Sequence, residues 1–170
     1  MITKKDLLNW LKKTDNKLKK KITLIAVGGT AMTLLNFKES TIDVDFDVGR
    51  EDHDLFKNVI DKTFRVDIFV DGYIFSEQLP DDYAKIAFDF KNISFKKINL
   101  KILHPMDIIL TKTARYNARD EDDIAALVKK IKINKEELKS RFEKILGSYA
   151  GSESIFRDNF EAILKRHFKD

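Results

Sequence analysis

Residues 41–48 (TIDVDFDV) alternate strictly between apolar and polar side chains, and this pattern restricts the fold more than any other in the chain. The period of two predicts a β-strand with a buried apolar face and with carboxylates facing outward. The apolar positions are Ile42, Val44, Phe46 and Val48, and the acidic positions are Asp43, Asp45 and Asp47. Three carboxylates on one face of a strand repel one another. A divalent cation would relieve this repulsion, because Mg²⁺ prefers carboxylate oxygens.

Two other interpretations of this acidic segment compete with a metal-binding strand. The three aspartates match the first three ligand positions of an EF-hand loop, and Asp54 falls at the twelfth. Val48 occupies the sixth position, where that loop needs a glycine, so a calcium loop fits poorly. The stripe taken alone also fits an edge strand whose charges prevent aggregation.

Two neighbouring segments add polar groups beside the acidic strand. The run ITLIAV predicts a buried strand that ends at Gly28-Gly29. Thr30 follows at the start of a predicted helix, whose first N–H groups are free to bind an anion. The segment FRVDIFV predicts another apolar strand, in which an unpaired Asp67 would be unfavourable. The glycine turn, the acidic strand and Asp67 therefore form one candidate site.

The rest of the sequence predicts a mixed sheet followed by helices. Helices are expected over residues 4–20, 54–62, 105–116 and 120–131, with two more around 138–146 and 156–168, and short strands over 85–90, 93–95 and 98–103. Two prolines and no long polar spacer indicate one compact α+β domain over residues 1–170. We expect a core with a short mixed sheet over residues 22–103 and a helical part over residues 104–170.

The composition excludes several kinds of site. The chain has no cysteine, so disulfides, thiolate zinc sites, iron–sulfur clusters and cysteine nucleophiles are excluded. The longest uncharged run, residues 22–37, is shorter than the ~20 apolar residues that a membrane helix needs. We therefore expect a cytoplasmic protein with no membrane span. The sequence contains neither a P-loop nor a Gly-x-Gly-x-x-Gly fingerprint.

The segment VGGTAM followed by STIDVDFDV resembles the nucleotidyltransferase fold of DNA polymerase beta-like enzymes. In detail it is similar to the abortive-infection-type nucleotidyltransferase toxins and the minimal nucleotidyltransferases. The resemblance implies that the triphosphate is held by Gly28, Gly29 and Thr30, and the catalytic metals by Asp43, Asp45 and Asp67. It implies Mg²⁺ or Mn²⁺ as the cofactor, and it makes residues 22–103 the nucleotidyltransferase core.

A second segment, HPMDIILTKTARYNARDEDDIAALV, resembles the C-terminal pattern of the same families. By this resemblance Lys112 contacts phosphate and Asp123 is a supporting acid, with Arg119 and Asp122 as weaker candidates. Ordinary structural roles compete with these assignments. A helical lysine is usually solvated, and acidic residues near Arg119 would favour the start of the next helix through its dipole.

The resemblance implies transfer of an NMP from an NTP to a hydroxyl acceptor, in a toxin–antitoxin or phage-defence setting. The acceptor stays open among RNA, protein and small molecules; we favour RNA, in particular a tRNA 3′ end. Residues 1–21 hold eight lysines against two aspartates, and they could form a cationic surface with Lys91, Lys96, Lys97 and Lys101. These lysines could equally serve solubility. A homodimer or a cognate partner protein is compatible with the sequence, and the alternative function is a catalytically degenerate nucleotide-binding or antitoxin-like module.

Overall fold

The computed structural model describes residues 1–168, in which a mixed β-sheet packs against helices; Lys169 and Asp170 lie outside the described residues. The strands are β1 (Ile2–Thr3), β2 (Ile22–Ala26), β3 (Ser40–Thr41), β4 (Val44–Val48), β5 (Val66–Val70), β6 (Tyr73–Ile74), β7 (Glu77–Gln78), β8 (Phe88–Asp89) and β9 (Ile98–Ile102). The helices are α1 (Lys4–Lys17), α2 (Gly28–Leu34), α3 (His53–Val59), α4 (Tyr83–Ile86), α5 (Pro105–Thr113), α6 (Ala118–Lys130), α7 (Lys135–Leu146) and α8 (Glu153–His167). The predicted α+β class is confirmed.

The main sheet has seven strands in the order β7-β6-β5-β4-β2-β9-β8. β4 lies at its centre, antiparallel to β2 and parallel to β5, and β2 is parallel to β9 on its other side. β4 and β5 are parallel neighbours. Along each strand, side chains two residues apart project from the same face of the sheet. A separate pair of short strands, β1 and β3, is antiparallel.

Aromatic side chains fill the space between the sheet and the N-terminal helix. Trp10 stacks on Phe46 with ring centroids 6.2 Å apart, and Phe56 meets both rings edge-on. All three side chains are buried. The apolar face of β4 therefore forms part of the core, as the alternation predicts.

The C-terminal helices pack around a second aromatic group and a buried ion pair. Phe142 of α7 stacks on Phe160 of α8 at 4.0 Å between ring centroids. The Arg141 guanidinium donates two hydrogen bonds of 2.8 Å to Asp107 and one of 2.9 Å to Asp82. These contacts join α7 to α5 and to the segment just before α4.

Three predicted details are wrong. The acidic strand begins at Val44, and Ile42 lies outside it, 58% exposed. Residues 85–90 form the end of α4 and the two-residue β8, because only Phe88 and Asp89 pair with β9. Residues 93–95 form no strand, and the amides of residues 96–98 donate instead to the Asp15 carboxylate of α1.

No helix within residues 1–168 combines the length and apolar character needed to cross a bilayer.

Candidate active site

The central strands place two of the predicted carboxylates directly opposite each other. Asp45 of β4 pairs in register with Asp67 of β5, and parallel neighbours project such side chains from the same face. Asp43 lies just before β4 and completes the group. The fold therefore brings together Asp45 and Asp67, which are 22 residues apart in the sequence and lie on separate strands. Asp43 and Asp67 are partly exposed.

Asp45 is the buried carboxyl group of the three. Only 8% of the residue is exposed, although the prediction placed its carboxylate in solvent. The pKa of Asp45 is raised to about 7, chiefly by burial and then by the negative charges of Asp67 and Asp43, while Lys112 and Arg115 act in the opposite direction. Asp45 therefore favours a bound proton or a nearby cation.

The glycine turn after β2 packs directly against this carboxylate. Gly28 has a φ of +53°, and a Cβ built there would lie 2.9 Å from Asp45 Oδ2. A Cβ on Gly29 would lie 2.5 Å from the Thr41 hydroxyl. Both positions therefore need glycine, Gly28 for its backbone conformation and both for the close approach.

Thr30 fixes the acidic strand through its hydroxyl group. The Asp45 amide donates to Thr30 Oγ1 at 2.9 Å, and that hydroxyl donates to the Asp43 carbonyl oxygen at 3.3 Å. Thr41 donates to the same carbonyl at 3.1 Å. Thr30 is fully buried. It thus acts on the backbone that carries the carboxylates, and its assignment to the triphosphate by the resemblance stays a prediction.

Lys112 and Asp123 lie in a buried ion-pair network beside the carboxylates. Lys112 Nζ is 2.7 Å from Asp123 Oδ2 and 3.3 Å from Asp120 Oδ1. Lys38 joins Asp123 at 3.1 Å, and Arg115 donates two hydrogen bonds of 2.7 Å to Asp120. The usual solvated state of a helical lysine does not apply here, since Lys112 is buried. Arg119 and Asp122 are exposed.

The carboxylates fit a divalent cation by their chemistry. Their oxygens are hard ligands, and no donor within residues 1–168 forms a hydrogen bond to the Asp45 carboxylate. Within the same residues, no group of three acidic or histidine side chains is already arranged to hold a metal ion. Arg65 instead lies 3.5 Å from Asp67 and 4.0 Å from Asp43. Cation binding would therefore replace the weak contacts of an exposed guanidinium.

A family model described as "Nucleotidyltransferase of unknown function (DUF6036)" matches residues 4–167. The chain belongs to this nucleotidyltransferase family. The match extends from α1 to α8, so it includes both the glycine turn and the ion-pair network. No curated protein and no solved structure matches the chain. The predicted membership of the nucleotidyltransferase superfamily is confirmed at this level.

Asp47 has a structural role in this nucleotidyltransferase. Its carboxylate accepts hydrogen bonds from the Gly72 amide at 2.9 Å and from the Tyr83 hydroxyl at 2.7 Å. The residue is buried, and burial raises its pKa despite these two bonds. The third aspartate of the stripe therefore anchors the turn between β5 and β6. The prediction that it faces solvent is wrong.

Sequence reasoning missed Arg65 and Arg115. Both guanidinium groups neutralise acidic side chains of the site or its surroundings. Arg65 lies two residues before Asp67, so the strand period of two places them on one face and could have identified it. Arg115 lies five residues before Asp120, and the two are separated by the break between α5 and α6. This is not the three- or four-residue spacing that predicts a side-chain pair on one helix, so the sequence did not indicate this contact.

Proposed function

We propose that this nucleotidyltransferase moves an NMP from an NTP to a hydroxyl acceptor with Mg²⁺ or Mn²⁺ held by Asp43, Asp45 and Asp67. The observation that carries the proposal is the in-register pairing of Asp45 with Asp67 beside Gly28. A desolvated carboxylate opposite another carboxylate is unfavourable without a cation, and a cation held by such a pair would serve phosphoryl transfer.

The cation would stabilise negative charge on the attacking and leaving oxygens during phosphoryl transfer. Asp43 and Asp45 would provide ligands from one strand, and Asp67 would provide one from the next. Thr30 keeps the strand in place through its bonds to the backbone of residues 43 and 45. Lys112 and Arg115 favour the ionised form of Asp45.

Phosphate binding follows from the glycine turn and from Lys112. Gly28 and Gly29 lack side chains, so the turn packs directly against Asp45 and Thr41 and its backbone lies beside the proposed metal ligand, where the triphosphate would bind. The Lys112 ammonium has three N–H donors, and two carboxylates account for two of them. The third donor would serve a phosphate oxygen, with Asp123 orienting the side chain.

RNA is the acceptor that the charge distribution favours. A groove of about 460 Å³ is lined by four lysines and one acidic residue, so its lining is basic; these residues are Lys21, Lys91, Lys96, Lys97 and Asp89. This groove lies at the start of β2, whereas Gly28 follows the end of the same strand. An RNA held there by its phosphates could extend along β2 toward the carboxylates. We further propose the toxin–antitoxin or phage-defence setting of the abortive-infection-type toxins, on the strength of the VGGTAM and STIDVDFDV segments that resemble theirs.

The test supplies the protein with each α-labelled NTP, Mg²⁺ or Mn²⁺, and total cell RNA or lysate, and then separates RNA from protein before counting. We expect label on RNA that disappears in Asp43→Ala. The matched control is Asp54→Ala, because the Asp54 side chain is 91% exposed. Label on protein alone would contradict the RNA acceptor. Nucleotide binding without transfer to any acceptor would favour the degenerate, antitoxin-like module.

A further inference from the structure

An exposed phenylalanine lies at the rim of the carboxylate site, and neither the family nor the proposed chemistry assigns it a role. Phe75 is 43% exposed at the tip of the hairpin formed by β6 and β7. Its Cζ lies 3.6 Å from the position of a Cβ on Gly28, and Asp45 Oδ2 lies 2.9 Å from the same point. The ring and the carboxylate are therefore no more than 6.5 Å apart, the sum of those two distances.

The backbone at Phe75 is strained. Ile74 pairs with Glu77, so Phe75 and Ser76 form a two-residue hairpin loop. Phe75 has a φ of +56°, while Ser76 is not among the residues with positive φ. Positive φ at the first loop position alone is typical of type II′ turns, in which glycine is strongly favoured there. A bulky residue in this conformation is rare, and such strain is concentrated at functional sites.

The rest of the hairpin is anchored firmly enough to impose this conformation. Ile74, Glu77 and Leu79 are buried, and the Leu79 amide donates to the Gly72 carbonyl oxygen at 2.9 Å. The Gly72 amide in turn donates to Asp47 of β4. The ring of Phe75 is thus held in position over the same sheet face that carries the carboxylates.

A second aromatic ring continues this surface away from the site. Phe69 lies two residues after Asp67 on β5, so both project from the same face of the strand. Its ring meets Phe75 at 4.8 Å between centroids. Phe69, Phe75, Tyr73 and Arg50 line a groove of about 510 Å³. This volume is in the range of small-molecule sites, and aromatic rings beside a guanidinium suit a planar base.

We propose that Phe75, supported by Phe69, is the stacking surface for the base of the NTP whose phosphates lie at the carboxylates. This inference rests on the proposed function, because that function supplies the nucleotide. The base is the occupant that the position favours, since the groove begins within 6.5 Å of Asp45. In a nucleotide bound by its phosphates at Asp45, only the ribose would separate the base from those phosphates, so the base would reach the groove.

The test compares binding of Mg·ATP with binding of Mg·tripolyphosphate, which has the charge of the phosphates but no base. Phe75→Gly removes the ring and supplies the residue that the backbone conformation favours. We expect this variant to melt at the same temperature as the parent or higher. Its affinity for Mg·ATP should fall about 5- to 100-fold, the effect of losing one base–aromatic stack. Its affinity for Mg·tripolyphosphate should stay unchanged.

Two further variants sharpen the result. Phe75→Trp should retain Mg·ATP affinity, and ATP but not tripolyphosphate should quench the new indole. Trp10 is the one native tryptophan, and it is buried against Phe46 in the core. Phe88→Ala removes another exposed phenylalanine, on β8, and should leave both affinities unchanged.

The outcomes separate the stacking surface from the proposed function. A parent that binds both ligands, with a Phe75→Gly variant that binds ATP equally well, overturns the stacking surface alone. Equal losses for ATP and tripolyphosphate in that variant also overturn it, since the defect would then lie at the phosphates. A parent that binds neither ligand with Mg²⁺ overturns both proposals.

Discussion

Asp45 and Asp67 occupy paired positions on the parallel strands β4 and β5, with their carboxylates on the same face of the sheet. Neighbouring strands lie about 4.8 Å apart, so this register holds two negative charges at close range. Hairpins cannot produce this arrangement, because parallel neighbours need a crossover. The segment containing α3 makes the crossover and so determines which residue of β5 faces Asp45.

The stability of the metal-free protein should depend on the ionisation of Asp45. Its pKa is about 7 in the folded protein against an ordinary value of 3.8, so the folded state binds the proton more tightly and stability falls as pH rises between these values. At 1.36 kcal/mol per pKa unit, the loss is about 4 kcal/mol. Asp45→Asn should match the parent near pH 4 and exceed its stability by about that amount at about pH 8. Urea unfolding with a chelator present measures the difference, and equal pH slopes in the two proteins would contradict it.

Addition of Mg²⁺ or Mn²⁺ should raise the melting temperature of the parent protein. A ligand that binds only the folded state stabilises it by about 2.7 kcal/mol at a hundred times its Kd. Asp45→Asn and Asp67→Asn should both lose this increment, because each replaces a proposed carboxylate ligand with a neutral, weaker amide ligand. Differential scanning fluorimetry across a metal titration is sufficient. An increment retained in both variants would exclude these carboxylates as the metal site.

A methyl group at Gly28 should destabilise the protein, whereas one at Gly147 should be tolerated. Gly28 has positive φ, and its added Cβ would lie 2.9 Å from Asp45 Oδ2. At Gly147 the nearest atom lies 3.9 Å away and φ is −63°. We expect Gly28→Ala to lower the free energy of unfolding by about 1–2 kcal/mol and Gly147→Ala to leave it equal or higher. Chemical denaturation of the pair checks this, and similar losses at both positions would argue against a special turn at Gly28.

Arg141 should contribute far more stability than an exposed arginine with as many partners. Its loss leaves Asp107, which is fully buried, without its bidentate partner. Arg141→Met should therefore lower the free energy of unfolding by about 3–5 kcal/mol. Arg157 also pairs with two acids, Glu143 and Glu153, but at the surface, where solvent screens the pairs, so Arg157→Met should have a far smaller effect. Equal effects in equilibrium unfolding would contradict this comparison.

Glu77 should make the folded protein less stable as pH rises. It is fully buried, and among residues 1–168 neither of its carboxylate oxygens has a hydrogen-bond partner. Burial, followed by the charge of Asp107, raises its pKa well above the ordinary value of 4.5, so stability falls as pH rises from that value through the raised pKa. Glu77→Gln cannot ionise, and its stability relative to the parent should grow between about pH 5 and pH 9. Glu136→Gln on the exposed face of α7 should show no such growth over the same range.

Local patterns were sufficient to predict the strands and helices that carry the site. The apolar run before Gly28, the alternation around Asp45 and the apolar strand around Asp67 each indicated their element from neighbouring residues alone. The C-terminal helices followed from their apolar period. These features depend on spacing along a few turns or residue pairs, which a single sequence contains.

The burial of the acidic strand could not be predicted from neighbouring residues. The alternation showed which face carried Asp45 and Asp47, but what covers that face comes from distant parts of the chain. The Tyr83 hydroxyl reaches Asp47 from 36 residues away, and the Gly72 amide reaches it from 25. The burial of Lys112, which the resemblance assigned to phosphate contact, could not be predicted either, because it depends on the packing of α5 against α6.

The parallel pairing of β2 with β9 has a consequence for the order in which the molecule can form. Thr23 of β2 and Asn99 of β9 are 76 residues apart in sequence, and their side chains are hydrogen-bonded. During synthesis, the strand that leads into Gly28 therefore emerges long before its parallel neighbour exists. Closing so large a loop is slow, because its entropy must be lost before the strands gain their contacts. We expect fragments that end before residue 98 to leave one edge of β2 open to other chains, so the complete sheet, and with it the carboxylate pair in its native setting, forms late.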